Sequence, residues 1–108
     1  MYAKKDLNSF TKRLKKLTRK YSRSSQHITN TIDSLTKDPT QGDSYPGFGD
    51  LTVRKLRIGL PEYKLGKSNG LRLLHLFIEK KKLIIPLTIY AKKVLVKSRK
   101  FKKKLKQR

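Results

Sequence analysis

Residues 71–90, LRLLHLFIEKKKLIIPLTIY, decide the fold. Two apolar runs rich in leucine and isoleucine, 71–78 and 83–90, read as strands. They are separated by Glu79, Lys80, Lys81 and Lys82 alone. That connection suits an antiparallel hairpin, since parallel neighbours need a crossover of about a dozen residues or more. Pro86 has no N–H to give to a ladder, so its strand lies at a sheet edge or carries a bulge there. Side chains alternate along a strand, so Arg72 shares a face with Leu74 and Leu76, and Leu71, Leu73, His75 and Phe77 take the other. Arginine is seldom buried without a partner, so the Arg72 face is expected to be the open one.

Upstream, residues 51–58 read as a third strand in which Lys55 and Arg57 face one way and Leu56 and Ile58 the other. With helices over the Leu71 and Phe77 face, Lys55, Arg57 and Arg72 share the open face and make one cationic patch. The same spacing also fits ordinary solvent-facing charges on a half-covered sheet. Between these strands, GLPEYKLGKSNG (59–70) lacks the spacing of a phosphate loop and precedes a strand instead of a helix, which removes nucleotide hydrolysis. The segment DPTQGDSYPGFGD (38–50) has the chemistry of turns and reads as the main linker.

Before the linker lie two helical patterns. Leu7, Phe10, Leu14, Leu17 and Tyr21 recur at three- and four-residue spacing on one helix face, with Asp6, Asn8 or Ser9 as candidate caps. The opposite face carries Lys12, Arg13, Lys15, Lys16, Arg19 and Lys20, readable as a solvated face or, through Lys12 and Lys16, as an RNA-binding one. A second helix places Ile28, Ile32 and Leu35 together and ends before Pro39. Neither helix buries its stripe alone, so each packs on the sheet. The expected fold is α+β in one domain, 1–108: a helical hairpin (6–37) against a small twisted antiparallel sheet (51–90), followed by a basic tail or helix (91–108).

Lysine and arginine number 29 against seven acids, a net charge of +22. That exceeds what solubility asks of a small domain and points to a polyanion, RNA first. The charge gathers at the ends: nine basic residues against Asp6 in 1–23, and ten with no acid in 91–108. No apolar run approaches a membrane span, residues 1–13 lack a secretory h-region, and cysteine is absent, so a cytoplasmic protein without disulfides is expected. His75 sits in an apolar run as a core residue with one satisfied nitrogen. His27 lies near a helix start, and neither histidine has an evident partner. The acids are scattered, so no metal and no cofactor are expected. What remains is metal-free RNA cleavage, in which the substrate's 2′-hydroxyl attacks the adjacent phosphate. Crowded cations depress one another's pKa, which lets a lysine act as base while an arginine stabilises the phosphorane.

The helix FTKRLKKLTRKY, the DPTQG turn, the strand VRKLRIG, the segment SNGLRLLHLF and the strand LIIPLTIYAKK stand in an order that resembles the RelE/ParE superfamily of bacterial toxin–antitoxin toxins, over about residues 10–93. The resemblance implies two helices on a curved antiparallel sheet. For the RelE branch it implies an endoribonuclease that cuts messenger RNA on the ribosome and is held by a cognate antitoxin in a hetero-oligomer. Carried over by position, Lys55, Arg57, Arg72, Tyr90 and Lys93 become the catalytic set, and Lys92, Lys97, Arg99, Lys12 and Lys16 the RNA-binding set. Tyr90 equally fits a ring packed at a strand end.

Two departures stand out. The family begins with a strand, and residues 1–5 offer only Tyr2 and Ala3 for one, so it is expected short or absent. After Ala91 there is no tyrosine to match the C-terminal one that contributes to cleavage in RelE proteins. Two alternatives stay open. One is a ParE-like gyrase inhibitor that cleaves nothing, recognised by accumulating gyrase–DNA breaks. The other is a non-catalytic RNA- or ribosome-binding protein.

Overall fold

A computed structural model describes residues 1–91, in the order β1 (Ala3–Lys4), α1 (Asn8–Lys20), α2 (Ser25–Lys37), β2 (Asp43–Ser44), β3 (Thr52–Ile58), β4 (Leu71–Ile78) and β5 (Leu83–Ala91). A single 3-10 turn, Pro61–Tyr63, interrupts the β3–β4 loop. The fold is α+β, with two helices packed against one five-stranded sheet of order β1-β5-β4-β3-β2. The hairpin of 71–90 is antiparallel as its short connection requires, and β3 pairs antiparallel with β4 from Thr52 opposite Phe77 to Ile58 opposite Leu71.

The sheet is mixed where an antiparallel one is expected, because β1 runs parallel to β5 with Ala3 opposite Leu83 and Lys4 opposite Ile84. The N-terminal strand is therefore present, two residues long and held by backbone. Ala3 N–H donates to the Lys82 carbonyl (2.8 Å), and Lys5 N–H to that of Ile84 (3.0 Å). Tyr2 anchors the segment edge-on against Phe77 at 6.3 Å between ring centroids. A second strand unmarked in the sequence, β2, pairs antiparallel with β3 from inside the turn-rich 38–50 segment.

The apolar stripes fold inward as their periods demand. Phe10 of α1, Tyr21 just after its end, and Ile28, Ile32 and Leu35 of α2 are buried against Ile58, Leu71, Leu73, Ile84 and Ile89 of the sheet. Helix α1 starts without a side-chain cap: Leu7 occupies the cap position, and Asp6 pairs instead with Lys4 at 3.5 Å. Arg19 and Lys20 in its last turn face the negative end of the helix dipole.

Pro86 sits at a bulge. Leu74 lies opposite Thr88 and His75 opposite Pro86, so Leu87 is the extra residue. The missing proline N–H is absorbed where the ladder is already interrupted. Opposite it, His75 has no exposed surface, and its Nε2 donates to the Pro39 carbonyl at 2.8 Å while Nδ1 has no partner. Burial lowers the His75 pKa, outweighing the hydrogen bond to Pro39, so the ring is held neutral. It is the core histidine with one satisfied nitrogen that its apolar surroundings suggest.

Candidate nucleic-acid interface

In an antiparallel ladder, residues directly opposite one another project from the same face. The rows on the face turned away from α1 and α2 follow from the register. Arg57, Arg72 and Tyr90 form one row across β3, β4 and β5. The next row holds Asp43, Lys55, Leu74 and Thr88. Beyond it lie Val53, Leu76 and Ile85. The helix-covered face carries the complementary rows, Leu56 with Leu73 and Ile89, then Ile58 with Leu71 and Ala91. The catalytic candidates Lys55, Arg57, Arg72 and Tyr90 thus fall in two adjacent rows of one face.

They are not equivalent there. Two arginines directly opposite repel each other, and the structure separates their roles. Arg72 is only 8% exposed and turns along its strand into the 59–70 loop. Its Nη1 donates to the Lys67 carbonyl at 3.1 Å and, more weakly, to that of Leu71 at 3.4 Å, and its Nη2 donates to the Ser68 carbonyl at 2.7 Å. The expectation that Arg72 emerges into solvent on an open face fails: Arg72 is buried, and so are its same-face neighbours Leu74, Leu76 and Val53, which leaves Arg57 as the exposed cation of these rows. Its guanidinium satisfies a loop that would otherwise leave carbonyls unpaired beside the sheet.

Arg57 reaches solvent, with half its side chain exposed and its Nη2 3.9 Å from the Asp43 carboxylate. At that distance and exposure the pair holds Arg57 loosely. Lys55 is half-buried one row away. Arg54, on the other face, is committed to structure: its guanidinium donates to the backbone carbonyls of Gln41 and Gly42 and fastens the 38–50 segment to β3.

Tyr90 links this face to the basic helix. β1 covers only the first two positions of β5, and beyond them α1 runs beside the strand. A groove of about 520 Å³ opens there, with Leu17, Ile89 and Ala91 among its lining and Lys12, Arg13, Lys16 and Lys20 around them beside Tyr90. The RNA-binding candidates Lys12 and Lys16 are both exposed on α1 and both line this groove. Lys92, Lys93, Lys97 and Arg99 lie outside the described residues.

Sequence reasoning missed one polar pair. His27 of α2 has a partner after all: its Nε2 lies 2.7 Å from Oε1 of Glu62 in the β3–β4 loop. The Glu62 pKa is lowered, first by its own backbone N–H and then by His27. Next to it the Tyr63 hydroxyl accepts from the Arg23 N–H at 3.0 Å, and the Tyr21 and Tyr63 rings meet edge-on at 5.2 Å. These contacts tie the loop that Arg72 supports to the α1–α2 corner. The partners are 35 residues apart, so no local pattern signals the pair.

Among the described residues no group of three or more histidine, cysteine, aspartate or glutamate side chains is placed to hold a metal ion. Among them also, no helix is long and apolar enough to cross a membrane. Comparison of the chain with protein-family models and with curated proteins returns no match.

Proposed function

We propose that this chain is a RelE-like toxin: a metal-independent endoribonuclease that cuts messenger RNA on the ribosome and is neutralised by a cognate antitoxin. The observation that carries the reading is the pair of adjacent rows, Arg57–Arg72–Tyr90 and Lys55 beside it, on the face turned away from the helices. The order of elements, two helices on a small sheet after a short N-terminal strand, is compatible with that family's fold.

In this reading Arg57 neutralises the scissile phosphate and the charge that grows on it, which needs a cation with its head in solvent. Lys55 and the Tyr90 hydroxyl flank the phosphate as the groups able to move protons, the 2′-hydroxyl being the nucleophile and the 5′-oxygen the leaving group. Arg72 positions the loop beside the row and does not touch the phosphate. Lys12 and Lys16 attract the flanking backbone.

The test is primer extension on messenger RNA in a reconstituted translation reaction. Cuts that appear only with ribosomes and purified protein support the reading, and an intact message with normal translation refutes it. One observation favours a second reading, an RNA-binding protein that cuts nothing: the arginine at the centre of the row already spends its donors on loop carbonyls. RNA affinity that falls with salt and is accompanied by no cleavage at any protein concentration identifies that case.

A further inference from the structure

Three exposed apolar side chains stand apart from the core: Tyr45 (36%), Phe48 (40%) and Leu51 (54%), all in the loop between β2 and β3. Exposed apolar side chains gathered in one loop are the kind of surface that serves as a contact. The Tyr45 and Phe48 rings lie 6.0 Å apart and tilted by 44°, so neither is stacked shut on the other. Gly47 and Gly49 flank Phe48 with φ of 102° and 60°, and a Cβ on either would meet nothing, so the tip projects into open space. Positive φ at both makes this outward turn accessible to glycine and strained for other residues.

The register places the pair. The Tyr45 N–H donates to the Val53 carbonyl at 2.9 Å, which continues the ladder in which Asp43 lies opposite Lys55 and Ser44 opposite Arg54. Tyr45 therefore lies opposite Val53 and on the same face as Lys55 and Arg57. From Val53 to Arg57 is four residues of strand, about 13 Å, a span that a short single-stranded oligonucleotide covers. An aromatic pair at one end of a face and cations along it is the combination that binds single strands, bases on the rings and phosphates on the charges. Two acids lie nearby: Asp43, already beside Arg57, and Asp50 at the loop's far end.

We infer that Tyr45 and Phe48 form a base-stacking platform for single-stranded RNA, whose backbone then runs along β3 past Lys55 to Arg57. The inference rests on the RNA reading above and adds to it the form of RNA and the end from which it enters. Lys55 and Arg57 on the same face, one of them exposed, favour this occupant over a protein segment whose apolar side chains would cover the rings.

The probe is a fluorescent single-stranded RNA decamer, titrated by anisotropy against full-length protein whose fold is checked by circular dichroism. Tyr45→Ala/Phe48→Ala should weaken binding about ten- to hundredfold with an unchanged salt slope. Tyr45→Phe/Phe48→Tyr should bind as the natural chain does. A decamer carrying abasic sites should bind the natural chain as weakly as the intact decamer binds the alanine variant. If the alanine variant binds normally while Lys55→Ala/Arg57→Ala binds weakly, the platform is overturned, the RNA reading survives, and the loop becomes a protein contact. If neither variant loses affinity, the platform is overturned and the RNA binds elsewhere on the chain, whereas no measurable binding of the decamer by the natural chain overturns the platform and the RNA reading together.

Discussion

Arg72 shows how far a residue's type and face can be read ahead of its task. Strand alternation assigns it to the face of Lys55 and Arg57, and the register agrees. Its engagement with Lys67 and Ser68 depends on the conformation of the 59–70 loop, including Lys64 in the left-handed region, and no strand pattern encodes that. Removing a charged, nearly buried donor leaves loop carbonyls unpaired, so Arg72→Ala should lower stability by about 1.5–3 kcal/mol in urea unfolding. Arg57→Ala should leave stability within about 0.5 kcal/mol, since its side chain is half exposed. His75 was legible because its surroundings are apolar in sequence as well as in space. Its folded-state pKa lies below the unfolded value, so the unfolded chain takes up a proton more readily. The stability this contributes is complete above the ordinary histidine pKa of 6.5 and is lost as pH falls from there toward the folded-state value. Unfolding midpoints measured from pH 7.5 to 5 should therefore fall. They should fall less in His75→Gln, whose amide can donate to Pro39 and does not titrate.

At the level of elements, the long strands and both helices announce themselves by period, and the short ones do not. β1 and β2 are two residues each, too short for any alternation, and they exist because neighbouring strands offer unpaired backbone edges. Their consequence for the site is direct, since β2 brings Asp43 against Arg57 and delivers the Tyr45 loop to the candidate face. Pairing between β3 and β4 has its own weak point. A Cβ at Gly70 would run into the Ile58 carbonyl oxygen, with Gly59 close behind. Gly70→Ala should therefore force the strands apart beside the Arg57–Arg72 row and cost about 1–3 kcal/mol, read by thermal unfolding. A Gly70→Ala protein as stable as the natural one would mean that this approach is looser than described.

For the whole molecule, the charge divides by position. The exposed cations of α1, Lys12 and Lys16 among them, surround a groove beside Tyr90, whereas Lys55 and Arg57 stand on the face turned away from the helices; in the proposed function the first attract RNA at long range and the second hold its phosphate. In the proposed reading composition points to a polyanion as partner, and the pairing of strands sets Lys55 and Arg57 apart from the cations of α1. Lys12→Gln/Lys16→Gln should accordingly flatten the salt dependence of single-stranded RNA binding by about 0.7 per lost phosphate contact, measured between 50 and 200 mM salt. Any residual cutting should keep its sites. The most direct test of the central claim, that the face of Lys55 and Arg57 cuts messenger RNA, is the single-turnover cleavage rate of Lys55→Ala/Arg57→Ala on ribosome-bound message. The expected result is a loss of at least about a hundredfold with an unchanged circular dichroism spectrum. A folded double variant that cuts at the natural rate would contradict it.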